Sequence, residues 1–222
     1  MKILFEDDSI IVVYKEAGEA TQTSAVAGKD LVSAIKVHLA KSSQKKGDPY
    51  VGVIHRLDQP VSGILVFAKN PRVAADLSKQ VSSDEMTKIY TAKVEGVIEG
   101  NNAEVRLTDY MYKDSKQNKA VIVQRDDGKD CMGNKVQKAE LFYTVKEVKE
   151  AENISILQIR LITGRFHQIR AQLSNIGHPI VGDRKYGSQS ASQSGNNGIA
   201  LSADRLMFAH PVSKEKMDFR HE

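Results

Sequence analysis

Apolar positions fall along this chain in two periods. Short alternating or unbroken apolar runs predict strands, and recurrence at three- and four-residue spacing predicts helices. Lys2–Phe5 and Ile10–Tyr14 flank Asp7-Asp8-Ser9, which reads as a hairpin. Asp30 is a good N-cap for a helix with Leu31, Ile35 and Leu39 on one face. Val51–Ile54 and Ile64–Ala68 read as buried strands. Asn70-Pro71 opens a helix with Val73, Leu77 and Val81 as its apolar stripe. Lys88-Ile89-Tyr90 begins a strand that alternates roughly as far as Val97, and residues 103–107 and 119–124 are short strand candidates. The two clearest long strands are Lys138–Val148 and Asn153–Ile162. In the second, Ile154, Ile156, Ile159 and Leu161 are assigned to the core, with a bulge where the alternation slips near Leu157. Phe166–Asn175 is predicted as a helix closed by Gly177, and Leu206–His210 and Lys216–Phe219 are the last strands. Ser42–Asp48, Lys113–Lys119, Arg125–Asn134 and the low-complexity Ser188–Gly198 are polar loops. Many strands, few helices and hairpin-like joints predict an α+β fold with a mainly antiparallel sheet, organised as a single domain.

Composition narrows the class without naming a function. The 222 residues are 41% hydrophobic and 27% charged, ordinary for a globular protein. No apolar run approaches the ~20 residues needed to span a bilayer. The start, Met1-Lys2-Ile3-Leu4-Phe5-Glu6-Asp7, is too short and too soon acidic for a secretory signal. The single cysteine, Cys131, allows no intrachain disulfide and no Cys-based zinc site, so a reducing, cytoplasmic location is expected. The net charge is +4. Its distribution is more telling: between Ile154 and Tyr186 stand Arg160, Arg165, Arg170, Arg184 and Lys185, against the one acid Asp183. A local excess like this suits a phosphate backbone.

The candidate chemistry lies in V-I-H-R-L-D-Q-P-V-S-G-I-L-V-F-A-K, Val53–Lys69. His55, Arg56 and Asp58 fall on a loop between two short apolar runs, where reactive groups held by a rigid sheet are commonly found. Taken alone, an Arg-x-Asp is a structural ion pair pinning a turn. His55 and Asp58 could also be two ligands of a metal-dependent hydrolase, with His167 or His178 joining them, but no His-x-x-x-His pair or cysteine set supports that.

The whole string resembles the catalytic motif of the RluA-type pseudouridine synthases, His-Arg-Leu-Asp-x-x-Thr-Ser-Gly-Leu-Leu-Leu-x-Ala-Lys. It matches at His55, Arg56, Leu57, Asp58, Ser62, Gly63, Leu65, Ala68 and Lys69, and Val61 stands where the family has Thr. Residues 163–187 resemble the family's later motif, Thr-Gly-Arg-x-His-Gln-Ile/Leu-Arg continued as Gly-x-Pro-Ile-x-Gly-Asp, with Gln172 where many members have His. Tyr90 matches the Tyr of the Lys-x-Tyr element. Leu206–Pro211 resembles the closing strand, and Glu16 replaces the Pro of Lys-Pro-x-Gly.

The resemblance implies the pseudouridine synthase fold: a long mixed sheet, helices packed on it, and a central active-site cleft. It implies a stand-alone catalytic domain without the family's N-terminal RNA-binding domain. The implied reaction breaks the uridine N1–C1′ bond, rotates the uracil and rejoins it through C5, with no metal, redox cofactor or carrier. Asp58 is then the catalytic carboxylate, Tyr90 packs on the uracil, and Arg170 pairs with Asp58. Arg56 fills the place of the extruded nucleotide, and His55, Arg165 and His167 join it on the RNA-binding side. The expected partner is RNA, in the form of a compact stem-loop of ribosomal or transfer RNA, and the expected state is a monomer. The alternative is a catalytically silent RNA-binding protein on the same fold. Gly182-Asp183 with Tyr186-Gly187 reads as a turn without chemistry.

Overall fold

The computed structural model describes residues 1–23, 30–42, 47–99, 103–124, 133–190 and 198–221. Cys131 and most of the Arg125–Asn134 and Ser188–Gly198 segments lie outside the described residues. The chain forms two compact units. One is built mainly on Met1–Lys88 and Ala203–Glu222, the other mainly on Ile89–Gly195. The class is α+β, as expected from the pattern. Among the described residues no helix is long and apolar enough to cross a membrane.

In the first unit the hairpin β1 (Lys2–Glu6) and β2 (Ile10–Lys15) continues into β4 (Ser62–Ala68), all antiparallel. A two-residue β3 (Gly52–Val53) also pairs with β4. β10 (Leu201–Ala209) follows β4 in strand order, and β11 (Lys216–Arg220) pairs antiparallel with β10. Every residue of β2 is buried, which explains its unbroken apolar run. One face carries Ile10, Val12, Tyr14, Ile64, Val66 and Ala68, packed with Val73 and Leu77 of α2 (Pro71–Ser82) and with Leu206 and Phe208. The other carries Ile11, Val13, Leu65 and Phe67, all with no exposed surface. The two helix starts follow the sequence signals. Asp30 Oδ1 accepts the Ser33 amide at 2.8 Å ahead of α1 (Leu31–Ser42), and Asn70 Oδ1 accepts the Val73 amide at 3.0 Å ahead of α2.

Gly63 shows why the motif needs glycine. Its φ is +138°, and a Cβ there would lie 2.5 Å from the backbone N and O of Ala203. Backbone cannot yield as a side-chain tip can. Gly63→Ala is therefore expected to cost about 3 kcal/mol through overpacking and strain, read as a drop in the urea midpoint. A midpoint equal to the parent's would show that β10 gives way easily.

In the second unit the strand order is β5 (Thr87–Glu95), β9 (Ile154–Leu161), β8 (Gln137–Lys149), β6 (Val105–Asp114) and β7 (Lys119–Val123). β6 has ten residues, not the five of the 103–107 assignment, because its outer side chains are charged or aromatic and hide the alternation. The Lys113–Lys119 loop is the tight end of the β6–β7 hairpin. The β9 core differs from the expected one. Leu157 is fully buried and Ile156 only half-buried, so the strand alternates cleanly through Ser155, Leu157, Ile159 and Leu161. Ser155 hid this. Its hydroxyl accepts the Ile98 amide at 2.8 Å and donates to the Gly96 carbonyl at 2.9 Å, which lets a polar side chain occupy a core position. The irregularity is real, but the extra residue lies on β8: Val145 faces Leu157 and Glu147 faces Ile156. α3 (Gln168–Asn175) closes at Gly177 and packs Ala171 among Met111, Ala120, Ala139 and Tyr186.

Candidate active site

Asp58 lies in the loop between β3 and β4, half-buried and followed by an exposed Gln59. Three residues, Lys15, Gly18 and Thr21, hold this loop. The Lys15 ammonium, with no exposed surface, donates to the carbonyls of Gln59 at 3.1 Å, Glu19 at 2.7 Å and Glu16 at 3.0 Å. The Gly18 amide donates to the Gln59 carbonyl at 2.8 Å, and the Gln59 side chain donates back to the Gly18 carbonyl at 2.9 Å. Thr21 Oγ1 donates to the Leu57 carbonyl at 3.0 Å. The loop closes on itself through Val61 N–H to Asp58 O, 3.0 Å, and the Val61 side chain is buried, which suits an apolar residue in place of Thr. Arg56 is exposed beside this fixed segment.

His55 sits differently from its neighbours. Its Nδ1 is buried and has no hydrogen-bond partner among the described residues, and its Nε2 accepts only a long 3.5 Å contact from the Val66 amide. Burial pushes its pKa down to about 3, helped by the nearby Lys88 ammonium, so the ring is neutral. Lys88 is itself buried, which lowers its pKa. For Lys15, burial dominates and brings the pKa down to about 8, partly offset by the charges of Glu19, Asp58 and Glu16.

The second unit carries the other candidates. The Thr163–Arg165 turn is bound to β8: the Glu140 carbonyl accepts from the amides of Ile162 and Thr163 at 3.2 and 3.1 Å, and the Glu140 amide donates to Thr163 Oγ1 at 2.8 Å. Arg165 Nε donates to the Lys138 carbonyl at 3.0 Å. His167 has φ +51° and ends the turn, so α3 begins at Gln168 and not at Phe166. Arg170 is buried on α3. Its Nε and Nη2 donate to Asp183 Oδ2 and Oδ1 at 2.6 and 2.8 Å, a bidentate pair with side-chain exposures of only 6% and 2%. The guanidinium lies over the Tyr186 ring, 5.0 Å from its centroid. Tyr186 Oη accepts the Ala120 amide at 2.7 Å and meets His167 Nδ1 at 3.0 Å. The structure thus brings His167, Arg170, Asp183 and Tyr186 into one cluster. Asp183 and Tyr186, read from sequence as a turn, are its scaffold. The only hint was that Asp183 is the sole acid in a basic stretch. Tyr90 is buried on the inner face of β5 with Ala92 and Val94.

Burial, then the charges of Arg170, Lys185 and Lys113, push the His167 pKa down to about 3. The sign follows from linkage. Between about pH 6.5 and pH 3 the unfolded chain binds a proton here that the folded chain refuses, so stability is lost as pH falls through this window. At pH 5 the loss is about 2 kcal/mol. His167→Asn, which tolerates the left-handed backbone, is expected to flatten the fall in urea midpoint between pH 7 and pH 5; an unchanged slope would mean that His167 is not the group concerned.

Solved structures establish the fold class. Human RNA Pseudouridylate Synthase Domain Containing 4 superposes with a TM-score of 0.74 at 20% identity, covering all of this chain and 88% of that one. The sequence matches the RNA pseudouridylate synthase family model over residues 9–175, and the chain belongs to that family of isomerases. Two curated relatives illustrate the kinship. The dual-specificity RNA pseudouridine synthase RluA of Vibrio parahaemolyticus is 33% identical over 95% of this chain and 78% of its own length. The ribosomal large subunit pseudouridine synthase D of Zymomonas mobilis is 31% identical over all of this chain and 69% of its own. Among the described residues no cluster of three or more His, Cys, Asp or Glu could hold a metal ion.

Proposed function

We propose that this RNA pseudouridine synthase uses Asp58 as its catalytic carboxylate on a uridine extruded from a compact stem-loop of ribosomal or transfer RNA. The observation that carries the reading is the fixing of the Asp58 loop by a buried ammonium, Lys15, that spends its hydrogen bonds on three backbone carbonyls. Catalytic groups are effective when their backbone is already held before substrate arrives. The reaction is an isomerisation: the N1–C1′ bond breaks, the uracil turns, C5 bonds to C1′ and gives up its proton, and N1 takes up a proton, so that no atom is gained or lost. A carboxylate such as that of Asp58 can serve it as a covalent nucleophile.

Tyr90 packs on the base in this reading, and Arg170 supplies the positive charge that keeps Asp58 ionised. Arg56, exposed beside the loop, fills the space the flipped uridine leaves. Arg165 and His167 fix the turn that faces the RNA backbone. His55, with its enclosed neutral ring, is assigned a positioning role under the loop. Residues 1–222 act as one catalytic domain, a monomer in the cytoplasm. The test is pseudouridine mapping in total RNA from cells with and without the gene: loss of particular sites on deletion is expected. If no site is lost, or if the isolated protein converts only assembled ribosomal particles and never a small stem-loop, the substrate reading is wrong.

A further inference from the structure

The sheet of the second unit has one face packed with Ala139, Leu141, Ile159 and Leu161 and another that, among the described residues, no element of its own unit covers. On that outer face Arg106, Phe142 and Arg160 stand directly opposite one another across β6, β8 and β9. The Arg160 guanidinium is 4.3 Å from the Phe142 ring centroid and that of Arg106 is 5.8 Å away. Thr108 and Glu140 form the next opposed pair on this face along β6 and β8, Tyr110 and Lys138 the one after, and Arg165 is tied to the Lys138 carbonyl. The side chains of Arg106, Lys138 and Arg160 are 55%, 47% and 38% exposed.

The carboxylates on this face serve the cations. Glu140, only 13% exposed, holds Arg106 and Lys138 from beneath, and its pKa is lowered by Lys138 and Arg106. Glu104 clamps Arg160 with contacts of 3.0 to 3.3 Å. Three cations, Arg106, Lys138 and Arg160, against the two carboxylates Glu140 and Glu104 leave this patch positive. An ion lattice that served stability alone would need neither this excess nor an aromatic ring set between two guanidinia. A cationic track with flat stacking surfaces is how sheets hold unpaired nucleic acid: phosphates meet the cations, and bases stack on rings and guanidinium planes.

We propose that this outer face binds an unpaired RNA segment flanking the modified nucleotide, with Arg106 and Arg160 on phosphates and the Phe142 cluster as the stacking platform. The inference rests on the RNA-modifying reading above. It is favoured by charge complementarity and by continuity: the Thr163–Arg165 turn is anchored to the same β8 residue, Glu140, whose side chain organises the face. None of the motif residues lies on it.

The test is fluorescence anisotropy with a labelled single-stranded oligouridylate across a salt series. Arg106→Gln combined with Arg160→Gln keeps hydrogen bonding to the two carboxylates and removes the charge. It is expected to weaken binding about 10-fold and to reduce the log–log salt slope by about 1.4, as for two lost single-strand phosphate contacts. Phe142→Ala should weaken binding about 5- to 10-fold with the slope nearly unchanged. Unaltered affinity in both variants overturns the proposal. So does loss of the Gln variant's affinity for heparin and oligouridylate alike while Phe142→Ala binds as the parent does, since charge alone would then explain it. Conversion of an unmodified transcript by the parent protein is measured in parallel. If the parent converts nothing, the enzymatic reading fails on its own account, while the binding comparison still decides the face.

Discussion

Asp58→Asn is expected to lower the conversion of uridine in a susceptible transcript by about 10⁴-fold or more, with the urea midpoint within about 0.5 kcal/mol of the parent's. Two features separate chemistry from folding here. The loop geometry depends on backbone groups of Asp58 and its neighbours: Val61 N–H to Asp58 O, Lys15 and the Gly18 amide to Gln59 O, Thr21 to Leu57 O. None of these uses the Asp58 carboxylate, so the amide leaves them in place. The substitution removes the negative charge and the basicity, and a carboxamide is a poor nucleophile and a poor base at neutral pH. Single-turnover conversion with enzyme in excess is the measurement, because it excludes slow product release. Turnover within about 10-fold of the parent would remove Asp58 from the chemistry and leave it a turn residue.

How much of this was legible from the chain depends on what each part of the fold uses to hold itself. Elements built on apolar periodicity were readable: the β1–β2 hairpin, α1 and α2 with their Asp30 and Asn70 caps, and the long β8 and β9 all lie where the pattern puts them. Elements in which a polar side chain does the work of an apolar one were not. Ser155 occupies a core position because Ile98 and Gly96 satisfy its hydroxyl, and both partners are distant in sequence. β6 was cut short because Arg106, Thr108, Tyr110 and Tyr112 face outward and look like loop composition.

The candidate site divides in the same way. His55, Arg56, Asp58, Arg165, His167 and Arg170 are visible because their spacing resembles a motif. Their supports are not. The burial of Lys15 and Lys88 appears only once the sheet closes over them, since lysine in sequence reads as solvent-facing. Asp183 reads as part of a turn, and it is one: its amide donates to Ile180 O and its carbonyl accepts from Tyr186 and Ser188. Nothing local reveals that its carboxylate faces an arginine thirteen residues earlier.

That arginine gives the second large expected effect. Asp183→Asn should destabilise the protein by about 3 kcal/mol and lower the single-turnover rate by at least about 10²-fold. The Arg170 guanidinium is buried, and Asp183 meets it with two charge-assisted bonds of 2.6 and 2.8 Å. An amide oxygen keeps one acceptor, loses the charge, and places an N–H donor against a group that has only donors. Tyr186 cannot compensate, because its ring already lies under the guanidinium and its hydroxyl is engaged with Ala120 N–H and His167. Arg170→Lys should lose a similar amount, since an ammonium cannot reproduce the two-pronged geometry or the stacking on Tyr186. The rate and the stability separate the roles. If Asp183→Asn loses stability and keeps its rate once fully folded at low temperature, the pair only braces α3. If both fall together and Asp183→Glu restores part of the rate, the pair sets where the Arg170 charge sits for the Asp58 chemistry. A variant as stable and as fast as the parent would show that the bidentate bridge contributes nothing to either.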